Sequence, residues 1–236
     1  MSNSYFKFKQ FTIEQGGCAM KVGTDGCLLG GWFDCINSCR ILDIGTGSGL
    51  IAIMAAQRCK ARITGIEIDE AAAMQARENV SNSPWNNRIE IINCDLLKYA
   101  TDIMFDTIVS NPPYFVNSLK CDNTSRTLAR HNDSLGSDAF FKAANGLLTQ
   151  EGTISIIIPC DIKNEWLTSA NSFRFAASRI TYIKTTPRKE AKRVMIEFRR
   201  ADNIKCNKNT LVLECEPGKY SEEAKNILRD FYLKIE

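Results

Sequence analysis

Ile41-Leu42-Asp43-Ile44 runs straight into Gly45-Thr46-Gly47-Ser48-Gly49, and the apolar stretch Ile51 to Ala56 follows at once. A short strand, a glycine-rich turn and a helix in that order bring backbone N–H groups close to a ligand. Glycine admits φ values that side chains resist, and a helix start exposes unpaired donors. Gly45, Gly47 and Gly49 are therefore candidate cofactor contacts. Their Gly-x-Gly-x-Gly spacing departs from the Gly-x-Gly-x-x-Gly of dinucleotide sites. Asp43 places a carboxylate just before the turn, where a pyrophosphate would be repelled, so a ligand without phosphates fits better. Ile63 to Ile68 reads as the next strand, and its Glu67 lies about twenty residues past the first glycine, where a carboxylate can take ribose hydroxyls.

From Ile41 onward, strand-like and helix-like stretches alternate. Strands are expected at 41–44, 62–67, 88–93 and 105–110, with helices at 48–58 and 70–81. A helix near 138–148, a strand at 153–159, a helix near 163–175 and strands near 179–185 and 192–199 follow. This order predicts an α/β fold with a doubly wound, mostly parallel sheet. Phe6, Phe8, Phe11 and Ile13 predict a short hairpin ahead of the core, and Ser221 is placed to cap a helix running to Tyr232. With 236 residues and 44% hydrophobic residues, one sizeable domain is expected rather than two. Val116 to Asp138, with Lys120, Arg126, Arg130 and His131, reads as a long polar loop, a length more typical of functional lids or disordered segments.

Ten cysteines are scattered without any Cys-x-x-Cys pair, and there is one histidine. Neither a zinc site nor a disulfide framework follows from that spacing, so no metal is expected and the thiols suit a reducing, cytoplasmic compartment. No apolar run reaches membrane-spanning length, and no membrane is expected as a partner. The net charge of +3 permits nucleic-acid binding without demanding it. Its clearest concentration is Lys184 to Arg200, where Arg188, Lys189, Lys192 and Arg193 form a candidate phosphate-binding patch. A solvated sheet edge would carry lysines for a different reason, to discourage edge pairing.

Phe105 to Val109 reads as a strand that leads into Ser110-Asn111-Pro112-Pro113-Tyr114-Phe115. Pro112 and Pro113 fix φ at two consecutive positions and donate no backbone N–H, so the turn is stiff and its carbonyls face no competing donor. A planar exocyclic amine is a poor nucleophile because its lone pair is delocalised into the ring. Accepting its two N–H groups at the Asn111 side-chain carbonyl and the Pro112 backbone carbonyl would raise electron density on that nitrogen and aim it, while Tyr114 stacks on the ring. This is the arrangement that methylating an amino group requires. Asn-Pro also opens ordinary turns. Asp95, after the strand Ile89 to Asn93, sits at a strand's carboxyl end and can accept from an adenine amino group; a surface aspartate would look the same.

With the glycine turn, Glu67 and Asn111-Pro112-Pro113-Tyr114 together, the chain resembles the class I S-adenosylmethionine-dependent methyltransferases that modify amino groups. More narrowly, it is similar to the bacterial tRNA1(Val) adenine-N6 methyltransferase family, which acts on the adenosine just 3′ of the anticodon, position 37. Phe8-Lys9-Gln10-Phe11, Cys18 to Gly26, Ser83-Pro84-Trp85, Tyr220-Ser221-Glu222 and Phe231-Tyr232-Leu233 carry the closer match.

The resemblance implies a Rossmann-like core of seven strands with helices on both faces, its last strands forming an antiparallel hairpin. It implies one methyltransferase domain, with residues 1–39 as an extension covering the cofactor and 40–236 as the core. Asp43, Gly45, Gly47 and Glu67 would then hold S-adenosylmethionine, with Asp95 near its adenine ring. Lys21, Thr24 and Asp25 fall in the segment that closes over its methionine end. Asn111 and Pro112 match the acceptors for the target amine, with Tyr114 on the flipped base. The partner is then a tRNA anticodon loop, and a monomer is expected. Other amino-group targets share the tetrad: rRNA guanine-N2, DNA adenine-N6 and release-factor glutamine. The glutamine and many rRNA enzymes carry an extra N-terminal domain for which the stretch before Ile41 leaves no room. A nicotinamide-dependent oxidoreductase accounts for the glycine turn alone.

Overall fold

A computed structural model of the chain describes residues 4–17, 21–113, 135–200 and 204–235. Tyr114 and the basic and histidine residues expected in the loop from Val116 onward lie outside the described residues. In chain order the elements are strands β1 (Tyr5–Lys7) and β2 (Thr12–Glu14), helix α1 (Thr24–Trp32), β3 (Arg40–Ile44), α2 (Leu50–Arg58), β4 (Arg62–Glu67), α3 (Glu70–Ser81), β5 (Ile89–Asn93) and β6 (Phe105–Ser110). Then come α4 (Ser137–Leu147), β7 (Leu148–Pro159), α5 (Lys163–Ser172), β8 (Phe175–Lys184), β9 (Arg193–Arg200), β10 (Asn207–Val212), the pair β11 (Glu214–Glu216) and β12 (Lys219–Tyr220), and α6 (Glu222–Leu228).

The main sheet runs β10-β8-β9-β7-β6-β3-β4-β5. Every neighbouring pair is parallel except those that β9 makes with β7 and β8. The expected antiparallel hairpin at the end of the core is therefore β8–β9. The sheet has eight strands, not the expected seven, because Asn207–Val212 adds an edge strand beside β8. Its residues are exposed up to Leu211, so nothing in their polarity announces a strand. Strand β7 begins at Leu148, directly after α4, rather than at 153.

Two apolar clusters sandwich this sheet. One joins α1, α2, α3 and α6 to the aromatic residues of the N-terminal hairpin, among them Phe8 and Phe11. The other packs α4 and α5 through Phe140, Phe141 and Trp166 against Phe175 and Phe198. Phe141 sits at its centre, with ring centroids 5.1 Å from Phe198 and 5.3 Å from Phe140. Truncating such a fully buried ring to alanine costs about 3–5 kcal/mol.

The helix ends show how local chemistry sets element boundaries. Asp69 caps α3 by accepting from Ala72 N at 2.8 Å, and Ser221 caps α6 by accepting from Ala224 N at 3.1 Å. At the other end of α2, the Arg88 guanidinium donates to the carbonyls of Ala56, Cys59 and Ala61. A cation there satisfies orphan acceptors at the negative end of the helix dipole. The eight described cysteines form no disulfide with one another, and among the described residues no helix is long and apolar enough to cross a membrane.

Candidate active site

Strands β3 and β6 are parallel neighbours in which Ile44 pairs with Ser110. One residue further on, the chain reaches Gly45 on one strand and Asn111 on the other. Adjacent strands lie about 4.8 Å apart, so this register alone brings the glycine turn beside the start of the diproline elbow. The Ser110 hydroxyl, fully buried, donates to the Ile44 carbonyl at 2.8 Å and ties the two strand ends together.

Between them opens a cleft of about 300 Å³. Its floor is Gly45 to Ser48 with Leu50 and Ile51, one wall is Lys21 to Gly26, and Asn111 closes the side. Gly45 and Gly47 have φ of +69° and +56°, and a Cβ added to either would meet nothing within 4 Å. Backbone therefore faces open space, which is the cradle a nucleoside cofactor needs. The starts of α1 and α2 both line this space, so two helix N-termini bias it toward an anionic group. Gly49 differs: its φ is +81°, and a Cβ there would lie 3.5 Å from Ala76 of α3. It starts α2 and sets helix packing beneath the cleft.

Asn111 is half-buried, and its side-chain Oδ1 is shielded from solvent without a hydrogen-bond partner among the described residues. A buried carbonyl left unpaired costs about 1–3 kcal/mol, and this one lines the cleft, where a ligand could supply the donor. A Cβ on Gly26 would sit 4.0 Å from Asn111 Nδ2 and 3.2 Å from Leu50, so α1 lies close against the amide. Pro112 is buried and Pro113 is exposed.

The carboxylates occupy distinct places. Glu67 Oε2 accepts from Gly47 N at 2.9 Å and its Oε1 accepts from Asp69 N at 3.0 Å, which holds the side chain against the glycine turn. Asp95, two strands from β3 at the same edge, accepts from Leu97 N and caps a short turn. Asp43 is wholly buried under the turn, where its Oδ2 accepts from Thr46 Oγ1 at 2.6 Å and from Ala52 N at 3.1 Å. Burial pushes its carboxyl up to about 7, against the pull of those two donors. Asp43 supports the turn from below, and neither it nor Glu67 nor Asp95 is among the residues that line the cleft.

On the cleft's far wall, Asp25 Oδ2 pairs with Arg193 Nε at 2.8 Å. Arg188, Lys189 and Lys192 are exposed on the loop 185–192 between β8 and β9. Because β8 runs parallel to β7, and β7 to β6, that loop emerges from the same sheet edge as Gly45 and Asn111.

Other residues hold the site together without a signal readable in sequence. Buried Asn79 of α3 accepts from Glu14 N and donates to the carbonyls of Glu14 and Ser48, which fastens the N-terminal hairpin to the glycine turn. Gln15 Oε1 accepts from Val22 N at 2.8 Å and so sets the cleft wall. A lone asparagine in an alanine-rich helix and a glutamine after a strand resemble ordinary surface residues until the tertiary partners are known.

A parallel sheet with one antiparallel strand, and a glycine cradle after an interior strand, is the fold of the class I methyltransferases. Residues 28–175 match the family model for the methyltransferase small domain. A predicted O-methyltransferase from Agrobacterium tumefaciens superposes with a TM-score of 0.72 at 21% identity, covering 90% of this chain and 99% of that one. A class I S-adenosylmethionine-dependent methyltransferase from Listeria monocytogenes gives a TM-score of 0.58 at 13% identity, covering 81% and 64%. In sequence, the chain is 48% identical over the full length of both proteins to the tRNA1(Val) (adenine(37)-N6)-methyltransferase of Bacteroides thetaiotaomicron, and 47% identical, again over both full lengths, to that of Phocaeicola vulgatus. The chain belongs to the tRNA1(Val) (adenine(37)-N6)-methyltransferase family.

Proposed function

We infer that this protein transfers a methyl group from S-adenosylmethionine to N6 of adenosine 37 in tRNA1(Val). The observation that carries the chemistry is the Oδ1 of Asn111, which has no partner among the described residues and is held one residue past the strand pairing that also positions Gly45. The cofactor supplies a methyl group on a sulfonium, an electrophile that needs no activation by the protein. Gly45 and Gly47 would hold it against their backbone, Glu67 would take its ribose and Asp95 its adenine, with Lys21, Thr24 and Asp25 walling its methionine end. Residues 1–39 would act as a cover over the core formed by 40–236.

Asn111 Oδ1 accepts one N–H of the target amine and the Pro112 carbonyl accepts the other. This aims the nitrogen lone pair along the axis of displacement, and the alignment is favoured most in the transition state. Pro113 stiffens the turn, and Tyr114, which lies outside the described residues, would stack on the base. No side chain is required as a strong base, because a methylated ammonium readily gives its proton to water. Anticodon-loop adenosine is single-stranded and cheaply splayed into a cleft. Arg188, Lys189 and Lys192 would meet the RNA phosphates on the approach. The enzyme would work as a monomer in the cytoplasm.

Labelled S-adenosylmethionine offered to unmodified tRNA, followed by nucleoside analysis, tests the reading. Label in N6-methyladenosine at position 37 is expected. Label in N2-methylguanosine, or none in tRNA beside transfer to another amine, would contradict it.

A further inference from the structure

Charge alone groups Arg193 with its neighbours as a phosphate contact, but its side chain turns inward. Nε donates to Asp25 Oδ2 at 2.8 Å, and Nη1 donates to the Lys192 carbonyl at 3.2 Å. About a third of the Arg193 side chain and a quarter of Asp25 stay accessible, so the pair is only partly shielded from solvent. Asp25 belongs to the first turn of α1, which forms the cleft wall opposite the glycine turn. Its N-cap is Gly23, which supplies no side-chain cap, so tertiary contacts fix where this turn sits.

Arg193 stands within the main sheet. It opens β9 and is paired on both sides, with Pro159 of β7 and with Ile183 of β8. The ion pair thus ties the helix start to a strand held by both neighbours, and does so at the wall of the cofactor cleft. The loop 185–192 ends one residue before it.

We propose that Arg193 is a positioning residue for cofactor binding: through Asp25 it clamps the first turn of α1 over the cleft, and it is not a contact for RNA phosphate. This rests on the reading of the cleft as the S-adenosylmethionine site. Arg188, Lys189 and Lys192 on the adjoining loop are left as the RNA-facing charges.

Calorimetric binding of S-adenosylhomocysteine without RNA tests the proposal on Arg193→Ala, Asp25→Asn, the double variant and Arg193→Lys. Arg193→Ala is expected to raise the dissociation constant about fivefold, as suits a partly exposed ion pair. Asp25→Asn should lose at least as much, since Asp25 also lines the cleft; the double variant should be no worse than Asp25→Asn alone, and Arg193→Lys should recover much of the loss. In steady state, KM for S-adenosylmethionine should rise by a similar factor in Arg193→Ala while kcat and KM for tRNA hold. Unchanged S-adenosylhomocysteine binding in Arg193→Ala, with a raised KM for tRNA and a shallower salt dependence, would overturn the clamp and return Arg193 to the RNA surface. Additive losses in the double variant would also overturn it. Failure of the wild-type protein to bind S-adenosylhomocysteine would instead sink the cofactor reading itself, so the two failures are distinguishable.

Discussion

The Ser110 hydroxyl donates to the Ile44 carbonyl at 2.8 Å, across the last paired position of β6 and β3. The next residue on each strand is Asn111 and Gly45, so this bond reinforces the register that sets Asn111, the acceptor proposed for the amine, beside the glycine turn. Ser110→Ala should cost about 1 kcal/mol of stability, the usual net worth of such a bond. Turnover should fall by a larger factor than cofactor affinity, since alignment is lost while the cradle remains. Urea unfolding and single-turnover methylation measure the two effects, and unchanged turnover would show that the register holds without this bond.

Glu67 accepts from Gly47 N at 2.9 Å and from Asp69 N at 3.0 Å. Its removal would free the turn and delete the acceptor proposed for the ribose. Hydrogen bonds to charged groups contribute about 1.5–3 kcal/mol, so Glu67→Ala should weaken cofactor binding by roughly ten- to a hundredfold. Glu67→Gln, which keeps an acceptor, should lose less. Calorimetry with S-adenosylhomocysteine separates the two variants.

Asp43 is pushed up from an ordinary 3.8 to about 7 by burial. Between those values the folded chain keeps a proton that the unfolded chain has lost, so this group makes stability fall as pH rises through that window and level off above it. Asp43→Asn should flatten that decline, by an amount on the order of a few kcal/mol across the window. Denaturant midpoints taken from about pH 4 to pH 8 on both proteins provide the check, with parallel curves as the contrary result.

Arg188, Lys189 and Lys192 project from the sheet edge that carries the cleft. Replacing all three with alanine should weaken tRNA binding and reduce the slope of log affinity against log salt by about one unit for each phosphate no longer neutralised. Cofactor binding should hold. An unchanged slope would place the RNA on another face.

Much of the frame is legible in the sequence because apolar runs between sharp breakers have few alternatives. Arg62–Glu67, Glu70–Ser81 and Phe105–Ser110 fall where alternation puts them. Helix α1 is not legible, since Thr-Asp-Gly-Cys-Leu-Leu-Gly-Gly-Trp has too much glycine to read as helical. Its glycines serve close packing: a Cβ on Gly30 would lie 2.6 Å from Met54 Sδ, and one on Gly31 would lie 2.5 Å from the Ile227 carbonyl. Tertiary contact, with Cys27, Leu28 and Leu29 fully buried, overrides propensity there. Strand β10 escapes notice for a related reason, because an exposed edge strand needs backbone partners rather than an apolar pattern. Charge in sequence also cannot tell Arg193, which pairs with Asp25, from its exposed neighbours on the loop before it.

The proposed mechanism stands on Asn111 aiming the target amine without holding the cofactor. The deciding experiment is single-turnover methyl transfer to unmodified tRNA by Asn111→Ala, with S-adenosylhomocysteine affinity determined on the same preparation. Affinity within about twofold of wild type beside a rate lower by about a hundredfold or more is expected. A wild-type rate, or a rate loss matched by an equal loss of cofactor affinity, would contradict the role.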